Sequence, residues 1–284
     1  MIPAPFDYIA PSTVAEAVSA LEEAGEDAKV LAGGQSLLPV LRMRMADPGV
    51  VVDLGGVTAL RGVREEGGSL VIGSMTTHHD VMRDPLVHHH AKLLAQTART
   101  VADPQVRHRG TFGGALVHAD PAGDLAAPTL ALDAEMVLAG PSGARVVRAS
   151  EFFVDYFTTA LDPAEVLVEV RFPMFTGWSA HYEKFNRVAQ AWSVVGVAAA
   201  VRVEAGAIAE ARVGLTNMGS TPVRALAVEQ ALLGRPATPE AIRHAARHAT
   251  EGTSPVSDAG ADIDYREHLA QVLTGRAVTA AAGV

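Results

Sequence analysis

Apolar positions recur along this chain in two rhythms, one of three to four residues and one of two, and the switches between them predict its elements. Val14, Ala17, Val18 and Leu21 share one helical face behind Thr13 and Glu16. A Thr with a Glu three residues on is a capping box, so a helix is predicted from there until Gly25 ends it. A short strand at 29–31 then runs into the pair Gly33-Gly34. Residues 37–45 suit a short helix or turn whose start Pro39 restricts, and 50–54 reads as the next buried strand. In such a strand, glycine turn, helix, strand unit, amides at the turn point outward without partners and can receive an anion.

Two short strands are predicted within 60–73, around a turn rich in Glu and Gly. Residues 85–100 read as one helix with Leu86, Leu93, Leu94 and Ala98 on its apolar face. A helix end and a hairpin are predicted at 129–138 and 144–147. The alternation at 165–172 marks a strand that Pro173 closes. A boundary falls near 175–180. Beyond it, 193–204 and 207–217 read as two long strands joined across Ala205-Gly206, 221–234 as helical, 238–240 as a helix start with Pro239 first, and 262–276 as a final helix. Strands followed by helices predict an α+β second domain, with the last residues, 277–284, frayed. There is no internal repeat and no low-complexity segment.

Composition narrows the function classes. At 284 residues the chain is long enough for about two domains. Its net charge of -9 and lack of a basic face argue against nucleic acid as a partner. There is no cysteine, which rules out disulfides, thiolate zinc sites and cysteine-ligated iron-sulfur clusters within the chain. If this protein handles electrons, a bound organic cofactor must carry them. The most apolar run, 192–201, is too short to span a bilayer, so an integral membrane protein is not expected, and the first residues have no signal-peptide pattern.

Candidate chemistry centres on two glycine pairs. One lies in Ala32-Gly33-Gly34-Gln35-Ser36, the other in Thr111-Phe112-Gly113-Gly114-Ala115, which a Pro-containing turn follows down to Asp124. Neither GxGxxG after a strand nor GxxxxGK[ST] is present, so the usual dinucleotide and P-loop signatures are missing. The two pairs read as opposite walls around one phosphate-rich cofactor, whose identity they leave open. His88-His89-His90, successive on a helix, cannot converge on one ion and read as solvated surface. His78-His79-Asp80, and His244 with His248, give no metal set either.

Four runs together, AGGQS at 32–36, ADPQVRHRGTFGG at 102–114, HADPAGDLAAPTLALDAE at 118–135 and EKFNR at 183–187, resemble the FAD-binding medium subunits of the molybdenum hydroxylases, the xanthine oxidase family. The carbon monoxide-oxidising members are the branch most resembled, and the likeness covers essentially the whole chain. It implies an α+β protein: a two-part FAD-binding domain of the para-cresol methylhydroxylase type over 1–177 (parts at about 1–55 and 56–177), then a smaller domain over 178–284 with a three-stranded antiparallel sheet and helices. It implies FAD as cofactor, its pyrophosphate between the glycine turns, held by Ala32, Gly33, Gly34, Gln35 and Ser36 on one side and Thr111, Phe112, Gly113, Gly114 and Ala115 on the other. By the same matching Asp124 accepts hydrogen bonds from the cofactor's hydroxyls, Val101 and Leu167 pack on it, and Lys184 meets it; Trp192 lies near the place where relatives can carry an aromatic beside the flavin ring, although a tryptophan opening an apolar strand reads first as packing. No catalytic acid or base is assigned.

The resemblance further implies an oxidoreductase complex, with substrate oxidised in a large molybdenum-cofactor subunit and electrons relayed by a small iron-sulfur subunit with [2Fe-2S] clusters. FAD in this chain then passes them to an external acceptor such as a quinone. A cytoplasmic location is implied, with attachment at the inner face of the membrane through the complex allowed. Departures from the family pattern are Phe112 and Ala115 in the second motif, His108 where Asn is frequent, and Gln35 where His is common. Two other readings stay open: a self-sufficient flavin oxidase of the same fold, and a non-catalytic assembly subunit.

Overall fold

The computed structural model describes residues 2–284. Three main sheets follow one another along the chain. In the first, strands Asp7–Ile9, Val50–Asp53 and Ala28–Leu31 lie parallel in that spatial order. Helix Val14–Ala24 crosses over them, its capping box present as predicted, with Thr13 Oγ1 accepting from the Glu16 amide. Ala17, Val18 and Leu21 pack on Val52, while Leu60 and Val166 join the same core.

The second sheet is antiparallel, in the order Val63–Glu66, Ser69–Gly73, Val166–Pro173, Glu135–Gly140 and Gly143–Arg148. Its central strand slips register between Leu167 and Glu169, and the Val168 carbonyl beside that bulge accepts from the Ser74 amide at 2.9 Å. The predicted helix over 85–100 is two helices, Pro85–His90 and Lys92–Thr100, because Ala91 leaves helical geometry at φ -145° and ψ 52°. The break turns His90 inward, so the expectation of a solvated histidine run fails there. His90 is buried, its Nδ1 2.7 Å from Thr176 Oγ1 and its Nε2 2.8 Å from Glu65.

The third sheet, antiparallel, runs Ser179–Phe185, Val195–Glu204, Ala207–Thr216 and Val223–Arg224. The expectation of a three-stranded sheet is corrected to four: a two-residue strand is added at the start of the segment predicted to be helical. Strand alternation separates two cores. On one face of the second strand, Val195, Val197 and Val201 join Leu269, Leu273 and Val278 of the final helix in a single core. The small Ala198 and Ala200 face the other way, into the core that holds Leu94, Ala127 and Leu130. The final helix runs over Ile263–Ala282, so the expectation of fraying beyond 276 is corrected: Ala277, Val278 and Ala281 are buried against the sheet. Among the described residues, no helix is long and apolar enough to cross a membrane.

Candidate functional site: a cleft between the two glycine pairs

Gly33 and Gly114, far apart in sequence, stand on facing walls of one cleft of about 590 Å³. A Cβ on Gly114 would lie 3.1 Å from the Cβ of Ala32 and 2.6 Å from Thr111 Oγ1. A Cβ on Gly33 would strike the Arg109 carbonyl oxygen and lie 2.7 Å from Gly110 Cα. Both glycines are therefore required by the close approach of neighbouring chain.

The two motifs differ in what they offer a ligand. The amides of Gly33, Gly34, Gln35 and Ser36 donate to no oxygen among the described residues, although the carbonyls of Gly34 and Ser36 accept from Leu38 and Val40. Gln35 folds back, its Nε2 donating to the Gly33 carbonyl at 3.0 Å. Four successive unpaired donors in a turn form a concavity suited to anionic oxygens.

The second motif is the start of helix Phe112–His118, with Thr111 as its N-cap. The amides of 112–115 are already engaged. Phe112 donates to Thr76 O, Gly113 to Ser74 O, Gly114 to Thr111 Oγ1 and Ala115 to Thr111 O. The expectation that amides from this side reach phosphate is corrected for 112–115, whose N–H groups are held by the Ser74 and Thr76 carbonyls and by Thr111, while the Thr111 amide itself donates to no oxygen among the described residues. Phe112 is a second correction. Its ring is fully buried, 6.1 Å from that of Phe172 in an edge-on contact, and it is absent from the cleft wall. Ala32, Gly33, Gly34, Gln35, Ser36, Val101, Thr111, Gly113, Gly114, Ala115, Asp124, Leu167 and Lys184 all line the cleft, and so does Trp192, more than half exposed.

At the Asp124 end the cleft wall is a buried polar cage. Asp124 Oδ1 accepts from the Tyr182 hydroxyl at 2.8 Å and from Ser193 Oγ at 2.7 Å, and Oδ2 accepts from Lys184 Nζ at 2.8 Å. Tyr182 and Lys184 reach the same carboxylate because they stand two apart on one strand and so share a face. Burial, then the Asp124 charge, raises the Tyr182 phenol well above its ordinary range, so it stays a donor. A carboxylate offers about four lone-pair positions, and three are used here, so one on Oδ2 remains for a ligand. Tyr182 and Ser193 were not legible as site residues; the alternation of Tyr182 with Lys184 was the available signal.

Ser193 is itself braced. Asn217 Nδ2 donates to the Ser193 carbonyl at 2.8 Å, and the buried Arg266 of the final helix donates to the carbonyl of Val194. Two further residues on the cleft wall carry buried polar atoms without partners, Ser74 at Oγ and His78 at Nδ1. The unpaired donors at 33–36 fit a ligand rich in oxygen acceptors. Among the described residues, no group of three or more His, Asp or Glu is placed to hold a metal ion. His108 lies outside the cleft wall, stacked on His79 with ring centroids 3.9 Å apart.

The cleft suits an oxygen-rich ligand, and likeness to known proteins gives its class, the cofactor-binding subunit of an oxidoreductase. Residues 4–175 match the FAD binding domain in molybdopterin dehydrogenase, and residues 180–281 match the CO dehydrogenase flavoprotein C-terminal domain. The chain belongs to this family, the FAD-binding subunits of molybdenum hydroxylases. It is 42% identical to the carbon monoxide dehydrogenase medium chain of Hydrogenophaga pseudoflava, over 99% of this chain and 98% of that one. It is 37% identical to the medium chain of the same name from Afipia carboxidovorans, over 98% and 97% of the two chains. Among solved structures, carbon monoxide dehydrogenase from Hydrogenophaga pseudoflava lacking the Mo-pyranopterin moiety of its molybdenum cofactor superposes with a TM-score of 0.96 at 43% identity, covering 100% of this chain and 99% of that one. The cofactor of this oxidoreductase subunit is FAD.

Proposed function

We propose that this chain is the electron-transfer subunit of an aerobic carbon monoxide dehydrogenase complex. It receives electrons from [2Fe-2S] clusters of a small partner subunit, after substrate is oxidised in a large molybdenum-cofactor subunit, and hands them to an external acceptor such as a quinone. The observation that carries this reading is the run of four unpaired amides at 33–36 facing a cleft that ends in the Asp124 cage. In this reading the run holds the FAD diphosphate, Ala32, Val101 and Leu167 pack on the cofactor, and Thr111, Gly113, Gly114 and Ala115 form the facing wall. The free lone pair of Asp124 accepts from a cofactor hydroxyl, and Lys184 keeps that carboxylate ionised and fixed. Bound FAD supplies the ability to collect single electrons and release them in pairs.

The proposed limits are 1–177 for an FAD-binding domain of the para-cresol methylhydroxylase type and 178–284 for the second domain. The complex is assigned to the cytoplasm, with the inner face of the membrane as its place of contact with a quinone. The test is an absorption spectrum of the purified chain with and without its partner subunits, followed by identification of the released flavin. FAD that is reduced only when the iron-sulfur partner is present is the expected result. Direct reduction by a small organic substrate in the isolated chain would overturn the relay.

A further inference from the structure

Among the described residues the chain buries two histidines, and they are treated differently. His90 has a partner on each ring nitrogen. His78 is just as buried, lines the cleft, and has no hydrogen bond from its ring, with Nδ1 wholly enclosed. Enclosing a polar ring without partners costs stability, and native structures rarely leave such a group unexplained.

The position of His78 is set firmly. Thr77 caps the short helix His78–Val81, its hydroxyl accepting from the Asp80 amide at 3.1 Å, and the His78 amide donates to the Gly110 carbonyl at 2.9 Å. The ring lies against Gly110, where a Cβ would be 2.9 Å from Cδ2 and 3.0 Å from Nε2. Gly110 Cα in turn lies 2.7 Å from the place a Gly33 Cβ would occupy. The imidazole thus stands across the Gly110 backbone from Gly33, the first residue of the unpaired amide run. We propose that His78 is a further cofactor-binding residue, its Nε2–H, the ring nitrogen that is not enclosed, completing from the Gly110 side the diphosphate site that the amides of 33–36 begin. This rests on the reading of that run as the FAD phosphate site.

The protonation state agrees. Burial, and secondarily the Arg107 charge, push the His78 imidazole down to about 4, so near neutral pH the ring is uncharged and offers one donor and one acceptor. A neutral donor in a buried wall avoids the cost of enclosing a second charge when no ligand is present.

The test uses the full chain stripped of flavin, labelled with nitrogen-15 at histidine, and titrated with FAD, ADP and riboflavin. The His78 ring resonances, assigned with His78→Gln, are expected to move on adding FAD or ADP and to hold still with riboflavin. His78→Ala is expected to raise the Kd for both FAD and ADP about tenfold, with part of that loss recovered in His78→Gln, which keeps a donor. FAD bound with unmoved His78 resonances, or ADP affinity unchanged in His78→Ala, would overturn the assignment while leaving the flavoprotein reading intact. Failure of the unaltered chain to bind FAD or ADP at all would overturn both. The resonance measurement needs no variant to fold in order to decide.

Discussion

Lys184 and Asp124, sixty residues apart in sequence, meet as an ion pair at 2.8 Å with both side chains nearly excluded from water. A buried pair of this kind is more informative when broken than when counted, since removing one partner strands the other charge. Lys184→Met is expected to destabilise the chain by about 3 kcal/mol, and adding Asp124→Asn to it to recover part of that loss. Urea denaturation of both single variants and the double variant measures the coupling. Additive losses would mean that the two side chains hold each other no better than water does.

Gly33→Ala places a methyl group against the Arg109 carbonyl, and both partners in that clash are backbone-bound. Relief requires the two walls of the cleft to part, so a stability loss of about 1–3 kcal/mol is expected together with a fall in bound flavin. Flavin content per chain, read with the melting temperature, checks both. Full flavin occupancy at unaltered stability would contradict the tight apposition of the walls.

Gly275 is the counterexample. It sits inside the final helix, and a Cβ there would meet only Ala246 at an ordinary 3.7 Å. Gly275→Ala is expected to stabilise the chain by about 0.5–1 kcal/mol through helix propensity alone. A shift of the denaturation midpoint to lower urea would show that the helix packs more tightly than this distance implies.

His78 gives stability a pH dependence of known sign. Its folded-state pKa, about 4, lies below the ordinary 6.5, so the unfolded chain takes up a proton that the folded chain refuses. The contribution is complete above pH 6.5 and is lost as pH falls toward 4, by about 3 kcal/mol at 1.36 kcal/mol per unit. His78→Gln removes that slope, and urea midpoints between about pH 7 and 4.5 compare the two proteins. Parallel curves would mean that the ring is protonated at its ordinary pH.

Much of the scaffold could be read from the chain itself, because its signals were local. Thr13 with Glu16 marked a real capping box, and Pro239 opens a helix behind a Thr cap. The Ala205-Gly206 turn joins the two long strands, with both residues at positive φ. Errors arose where a distant neighbour decides. Ala91 breaks a helix that its own propensity favours, and the alanines after 276 stay ordered because they pack on a sheet formed much earlier in the chain. In the site, glycine spacing pointed to two turns that do line one cleft. It could not tell which amides were already spent, nor that Phe112 turns its ring into the core. The partners of Asp124 come from the strand Ser179–Phe185 and the loop before Val195–Glu204, and only folding brings Tyr182 and Ser193 to it.

That cage is divided between the two halves of the molecule: the carboxylate comes from one, and the hydroxyls and the ammonium from the other. Neither half alone completes it, so until the halves close on each other Asp124 lacks all three of its donors, and the carboxylate acts as a latch that fastens only in the finished fold.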